Sequence, residues 1–209
     1  MIAIIDYHAG NLTSVARAVS HIGSKCIVTH SHEQIEAADR IIFPGVGAAG
    51  SAMKSLKALG LDTALKAMFL AGKPILGICL GTQIIMGYSD ENNTRCLGFV
   101  DGNVRTFPEK MPSAKGIPLK IPHMGWNRIQ ILHDHPIFSS LKENDEFYFV
   151  HSFYPEPGNQ EHILALTDYG ILFPSVVGFD NIIATQFHLE KSGRPGLIML
   201  KNFCTWQPC

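Results

Sequence analysis

Residues 73–83, Lys73-Pro74-Ile75-Leu76-Gly77-Ile78-Cys79-Leu80-Gly81-Thr82-Gln83, constrain the fold more than any other stretch. Residues 75–78 are an apolar run of strand length that ends at a cysteine set between Gly77 and Gly81, and a helix-like segment follows. The pattern G-x-C-x-G matches a nucleophile elbow, the thiol counterpart of the G-x-S-x-G turn. A strand that turns sharply into a helix pushes its apex side chain out of the sheet in a strained conformation, and flanking glycines avoid Cβ clashes there. The new helix aims free N–H groups and its positive dipole end at the apex, which favours a thiolate. A buried structural cysteine is the competing reading, because free cysteine is among the most buried residue types. Glycines on both sides favour the nucleophile.

The elbow sits within an α/β rhythm. Residues 2–5 are a four-residue apolar run closed by Asp6, which suits a strand buried on both faces. Leu12, Val15, Ala16, Val19 and Ile22 recur at helical spacing up to Gly23. Residues 26–29 read as a second strand, 33–37 as a short helix, and 40–43 as a third strand stopping at Pro44. This βαβαβ order with short connections predicts a mainly parallel, doubly wound sheet. Residues 51–71 read as helical, interrupted near Gly60, and the polar stretch 88–95 as a surface loop. From 97 to 131, Pro108, Pro112, Pro118 and Pro122 with Gly98, Gly102, Gly116 and Gly125 break the chain into short β-like pieces. Residues 147–154 form the strongest strand of this half. Strands at 163–167, 176–179 and 182–186 follow, with a hairpin at Asp180-Asn181. A helix over 194–205 closes the chain, its Leu197, Ile198, Leu200, Phe203 and Cys204 facing the core.

A length of 209 residues allows one generous α/β domain and argues against two. Seventeen basic side chains balance 18 acidic ones and no basic stripe is visible, so neither nucleic acid nor an anionic membrane is expected as a partner. No apolar run approaches the roughly 20 residues that span a bilayer. The N-terminus lacks a basic region and a cleavage site, and reads as a first strand rather than a signal peptide. Cys26, Cys79, Cys96, Cys204 and Cys209 are odd in number and irregular in spacing, which suggests neither a disulfide framework nor a zinc site. These features predict a soluble cytoplasmic protein with free thiols and no metal or cofactor.

A cysteine nucleophile needs a base and a group that orients the base. His30, His32, His133 and His135 lie among polar loop residues and read as solvated. His188 is different: it directly follows a predicted strand, where functional groups collect, and Glu190 is two residues on. An isolated H-x-E pair is more often a surface ion pair. Joined to a cysteine elbow in one sheet, it reads as catalytic. Pro44-Gly45-Val46-Gly47, past the third strand, could turn backbone N–H groups towards the elbow or be an ordinary turn.

Gly77-Ile78-Cys79-Leu80-Gly81-Thr82-Gln83 together with Gln186-Phe187-His188-Leu189-Glu190 resembles the class I (triad) glutamine amidotransferases. Four further motifs narrow the resemblance to the glutaminase subunits of imidazole glycerol phosphate synthase. They are Asp6-Tyr7-His8-Ala9-Gly10-Asn11-Leu12, Pro44-Gly45-Val46-Gly47, His123-Met124-Gly125-Trp126-Asn127 and Tyr148-Phe149-Val150-His151-Ser152.

The resemblance implies a flavodoxin-like open, mainly parallel α/β sheet with flanking helices and an antiparallel extension. It implies that Cys79 attacks the glutamine side-chain amide, that His188 moves the protons and that Glu190 orients His188. Backbone N–H groups of Leu80 and of Val46 or Gly47 would form the oxyanion hole. Gln83, Glu91 and the backbone of Ser152 and Phe153 would hold L-glutamine; a helix-surface amide and a solvated loop charge are the bland alternatives for Gln83 and Glu91. A (βα)8-barrel cyclase subunit is the implied partner, forming a heterodimer and taking up ammonia for histidine biosynthesis. Asn11, His123, Trp126, Tyr148 and Lys191 fall in motifs that face it. Core-edge packing is the alternative for Trp126 and Tyr148, and a solvated charge for Lys191.

Two positions depart from the family pattern. Leu189 stands where proline is usual, which restores a backbone N–H, frees φ and predicts a looser loop. His8 stands where glycine is common: it is strained if that turn needs a positive φ, and otherwise marks an adapted interface. Rival readings are a paralogue that feeds a cyclase-like partner in amino-sugar or surface-polysaccharide synthesis, a cysteine hydrolase or peptidase, and a silent binding subunit. The peptidase usually draws its histidine from just after the nucleophile, where this chain has Leu80. The intact Cys79, His188 and Glu190 set argues against a silent subunit.

Overall fold

The computed structural model describes residues 1–112 and 119–208. Gly116 and Pro118 of the broken stretch, and Cys209, lie outside the described residues. The first half alternates as predicted: β1 (Ile2–Ile5), α1 (Leu12–His21), β2 (Cys26–Thr29), α2 (His32–Ala37), β3 (Arg40–Gly45), α3 (Ala49–Ala58), α4 (Leu61–Leu70), β4 (Ile75–Cys79) and α5 (Leu80–Ile84). The interruption between α3 and α4 is at Gly60, whose φ of 68° is open to glycine at no steric cost. The second half holds β5 (Tyr88–Ser89), β6 (Thr94–Arg95), β7 (Gly102–Thr106), β8 (His123–Arg128), β9 (Gln130–Ile131), β10 (Glu146–His151), β11 (Phe153–Pro157), β12 (Ile163–Asp168), β13 (Leu172–Phe179), β14 (Ile182–Thr185) and α6 (Gly193–Thr205).

The main sheet has eight strands in the order β2-β1-β3-β4-β14-β13-β12-β9. The first five are mutually parallel, and β13, β12 and β9 continue the sheet antiparallel. It is an α/β architecture with an open, mainly parallel sheet, flanking helices and an antiparallel extension.

Side chains alternate across each strand, so the β1 run splits between two cores. Ile2 and Ile4 join Ile42, Leu76 and Ile78 under α1 and α6, where Val15, Val19, Met199, Leu200 and Phe203 are buried. Ala3 and Ile5 join Ile41, Phe43 and Ile75 against α3 and α4, through Leu56, Leu61 and Leu65. Each such aliphatic side chain, fully buried, contributes about 1.5–3 kcal/mol. On α6 the deep positions are Met199, Leu200 and Phe203; Leu197, Ile198 and Cys204 are half-buried, so the predicted face is rotated slightly.

Three expectations need correction. The stretch 88–95 is not a plain loop. Its short strands β5 and β6 flank a 3-10 turn over Glu91–Asn93, and the buried Ser89 and Thr94 pack it into a four-stranded sheet, β11-β7-β5-β6. The strand at 147–154 breaks at Ser152: β10 pairs with β8, while β11 pairs with β7. The hydrophobic pattern runs through Ser152 because both pieces have a buried face. His135 is half-buried rather than solvated, and its Nδ1 accepts the Ile137 N–H at 3.1 Å; His30, His32 and His133 are exposed.

Candidate active site

β3, β4 and β14 are neighbours in the parallel sheet, and their carboxyl ends converge, with Gly45 opposite Cys79 and Thr185 opposite Ile78. Cys79 has φ 54° and ψ −104°, a conformation an L-residue adopts only under strain of about 1–3 kcal/mol. The two glycines make the turn possible. A Cβ on Gly81 would collide with the Phe43 carbonyl oxygen, and one on Gly77 would lie 3.0 Å from Ala184 Cβ. Thr82 Oγ1 donates to the Thr185 carbonyl at 2.6 Å, which ties α5 to β14 beside the elbow.

His188 follows β14 and is held through its main chain. Its N–H donates to the Tyr148 carbonyl at 2.9 Å, and its own carbonyl accepts Ser192 Oγ–H at 2.5 Å. Ser192 Oγ in turn accepts the Tyr148 N–H at 3.0 Å. The ring donates through Nδ1 to Glu190 Oε1 at 2.7 Å, which leaves Nε2 as the nitrogen free to exchange a proton. Nε2 is buried without a hydrogen-bond partner among the described residues, and the Cys79 thiol lies beside the ring. Burial pulls the imidazole pKa down, but Cys79 and Glu190 outweigh it and push the ring up to about 9.

Leu189 does not loosen this loop. Its side chain is fully buried, residues Leu189–Lys191 close as a 3-10 turn, and α6 packs so tightly that a Cβ on Gly196 would strike the Leu189 carbonyl. His8 has φ 67°, so the strained alternative holds for the first turn.

A cavity of about 310 Å³ opens over the elbow. Cys79 and His188 line it, as do all seven predicted oxyanion and glutamine-site residues: Val46, Gly47, Leu80, Gln83, Glu91, Ser152 and Phe153. Gln83 is no surface amide. Its Nε2 donates to the Phe153 carbonyl at 2.9 Å and to Gln186 Oε1 at 3.2 Å. Nor is Glu91 a free loop charge. One carboxylate oxygen accepts the Ala49 N–H at 2.7 Å, where α3 begins. Asn92 and Asn93, at φ 57° and 49°, turn the chain so that Glu91 reaches the cavity. Val46 and Gly47 are exposed, and Gly47 has φ 99°.

The five residues placed at a partner surface separate into two groups. Trp126, 56% exposed, lies with its ring centroid 5.9 Å from that of Tyr148, and Lys191 Nζ sits 5.7 Å from the Tyr148 ring centre. Asn11 and His123 are turned inward. Asn11 donates to Glu190 Oε1, and His123, 2% exposed, pairs its Nδ1 with His151 Nε2 at 3.1 Å. The alternation of β8 explains this: Met124 and Trp126 point out while His123 points in. Met124, exposed on the same face of β8 as Trp126, extends the outer patch, and sequence reasoning missed it. It also missed Gln186, whose Nε2 donates to Cys79 Sγ at 3.8 Å. Its place next to Phe187-His188 was the available signal.

Residues 3–206 match the family model for glutamine amidotransferase class-I. The chain belongs to this family. Among class-I glutamine amidotransferases it is 48% identical over 203 residues to the imidazole glycerol phosphate synthase subunit HisH of Nitratidesulfovibrio vulgaris strain DP4, covering 97% of this chain and 95% of the relative. It is 47% identical over 210 residues to HisH of Dechloromonas aromatica strain RCB, covering 99% and 97%. A solved glutamine amidotransferase shares the fold, with a TM-score of 0.74 at 17% identity over 98% of this chain and all of that one. Among the described residues no helix is long and apolar enough to cross a membrane, and no group of three or more His, Cys, Asp and Glu could hold a metal ion.

Proposed function

We propose that this chain is the glutaminase subunit of an imidazole glycerol phosphate synthase, working in the cytoplasm as a heterodimer with a (βα)8-barrel cyclase. The Cys79 thiolate attacks the side-chain carbonyl carbon of L-glutamine. As the C–N bond breaks, the His188 imidazolium protonates the leaving nitrogen, giving ammonia and a γ-glutamyl thioester. His188 then takes a proton from water, which attacks the thioester and releases glutamate. Glu190 holds the tautomer that keeps Nε2 towards the chemistry. Backbone N–H groups of Leu80 and of Val46 or Gly47 stabilise the tetrahedral oxyanion, each worth about 3 kcal/mol when aimed correctly. Gln83, Glu91 and the backbone at Ser152 and Phe153 hold the amino-acid head group.

The ammonia passes to the cyclase, which converts PRFAR to imidazole glycerol phosphate and AICAR. Trp126, Tyr148, Lys191 and Met124 form the docking face, with Asn11 and His123 acting behind it. The exposed glycine loop at Val46 and Gly47 turns its N–H groups inward only when the liganded partner is bound, so the free subunit idles. The observation that carries this reading is the strained Cys79 beside the His188–Glu190 pair, over one cavity, in a chain that matches HisH subunits along its length. Those relatives favour the histidine pathway over the amino-sugar paralogue. The test is glutamate release by the chain alone, with a barrel cyclase, and with cyclase plus its nucleotide ligand, using Cys79→Ala as the blank. A large rise only in the liganded complex is expected. Cys79-dependent release that ignores the cyclase would assign the ammonia to another acceptor.

A further inference from the structure

We propose that Gln186 donates a hydrogen bond to the Cys79 thiolate, and that a chain of two buried amides fixes the direction of that bond. The Phe153 carbonyl can only accept a hydrogen bond. The Phe153 carbonyl lies 2.9 Å from the Gln83 amide, so the Gln83 nitrogen must face it. The same nitrogen lies 3.2 Å from the Gln186 amide, so Gln186 presents its oxygen there. Its nitrogen is thereby turned to Cys79 Sγ, 3.8 Å away. His151 Nδ1 also contacts the Phe153 carbonyl, at 2.8 Å, so two donors hold the carbonyl that anchors the chain.

Gln186 is wholly buried and its main-chain N–H is fixed to the Ser175 carbonyl at 2.9 Å, so neither water nor rotation of the strand end offers the amide an alternative. A reversed amide would set an oxygen against a thiolate and lose the bond to Gln83. Phe153 thus decides, through Gln83, that the sulfur meets a donor. The Val150 carbonyl, 4.0 Å from Sγ, can take the thiol proton but offers a charged sulfur nothing; the directed N–H of Gln186 does.

The inference rests on Cys79 being the nucleophile, and its test reads the thiol without glutamine or partner. The pH dependence of iodoacetamide alkylation at Cys79 would be followed by mass spectrometry of the Cys79 peptide. Gln186→Met conserves volume and removes the donor; Gln83→Met leaves Gln186 in place but frees its amide to turn. A hydrogen bond to a charged group sets the scale: the Gln186→Met midpoint should rise by about one pH unit, and alkylation near neutral pH should slow by up to about tenfold. Gln83→Met should move it the same way by less. An unmoved midpoint in Gln186→Met with wild-type melting overturns the proposal. If that variant does not fold, an unmoved Gln83→Met overturns it. Wild-type protein that alkylates with a lowered midpoint yet releases no glutamate would sink the glutaminase reading and leave this one standing.

Discussion

Asn11 and His188 donate to the same oxygen, Glu190 Oε1, although Asn11 lies 179 residues away from Glu190 in the chain. The other carboxylate oxygen, Oε2, is buried without a partner among the described residues. Glu190 is therefore held on one side only, and Asn11 is the side-chain support it has besides the histidine it orients. Asn11 itself sits at φ 79°, where asparagine is tolerated better than most side chains. The first βα turn is thus wired directly to the His188–Glu190 pair.

Deleting that support should slow the chemistry without weakening substrate binding. Asn11→Gly keeps the left-handed backbone and removes the amide. One hydrogen bond to a charged group predicts a loss of about tenfold in kcat, with KM unchanged. Steady-state glutaminase kinetics in the liganded complex check this; a change confined to KM would show that Asn11 does not act through Glu190.

Glu91 stands in two separable places, capping α3 through the Ala49 N–H and lining the cavity over the elbow, the proposed glutamine site. Glu91→Gln retains an acceptor for the cap but loses the charge, so KM for glutamine should rise about tenfold while the melting temperature holds. Glu91→Ala loses both, with about 1 kcal/mol of stability gone as well. Thermal melts paired with kinetics distinguish the two variants.

The backbone strain at Cys79 should be measurable as stability. Cys79→Gly relieves a positive φ that Cys79→Ala retains, and both abolish glutaminase activity. After the entropy glycine adds to the unfolded chain, the glycine variant should exceed the alanine variant by about 1 kcal/mol in chemical denaturation. Equal midpoints would show that the elbow is relaxed.

Three histidines set the pH window of stability with opposite signs. Burial lowers His123 to about 4 and His151 to about 3, so the unfolded chain, titrating near 6.5, binds protons that the native state refuses. Their stabilisation is present above about pH 6.5 and lost as pH falls towards those values. His188, raised to about 9, contributes fully below about 6.5, and its contribution is lost as pH rises through its folded value. Denaturant midpoints should be higher near pH 7 than at pH 5 or pH 9. Replacing His123 by glutamine should flatten the acid limb by about one proton.

How much of this was legible follows from what each feature needs. Residues 75–83 announce themselves because strand, apex and helix are contiguous, and no distant contact is required to read them. His188 and Glu190 needed the strand before them together with the cysteine elbow in the same sheet. Asn11 carries no local signature of its contact with Glu190, and Gln186 has only its place beside Phe187-His188: a buried amide reads like any polar residue until the sulfur or carboxylate beside it is located. His123 was misplaced because a motif gives no face, whereas the β8 pleat does. The break at Ser152 was hidden by an unbroken aromatic pattern, and only the separate pairings of β10 and β11 reveal it. Leu189 misled for a different reason: its lost φ restraint is replaced by burial, which depends on α6 packing.

The two tryptophans occupy opposite environments, Trp126 being 56% exposed beside Tyr148 and Trp206 6% exposed against Phe203. The molecule thus carries its own optical reporter on the proposed docking face, with a second indole as an internal standard in the core. Selective excitation should resolve a red-emitting and a blue-emitting component. Because Tyr148 also accepts the His188 N–H, a surface that covers the red component touches the residue whose peptide group steadies the proposed catalytic base.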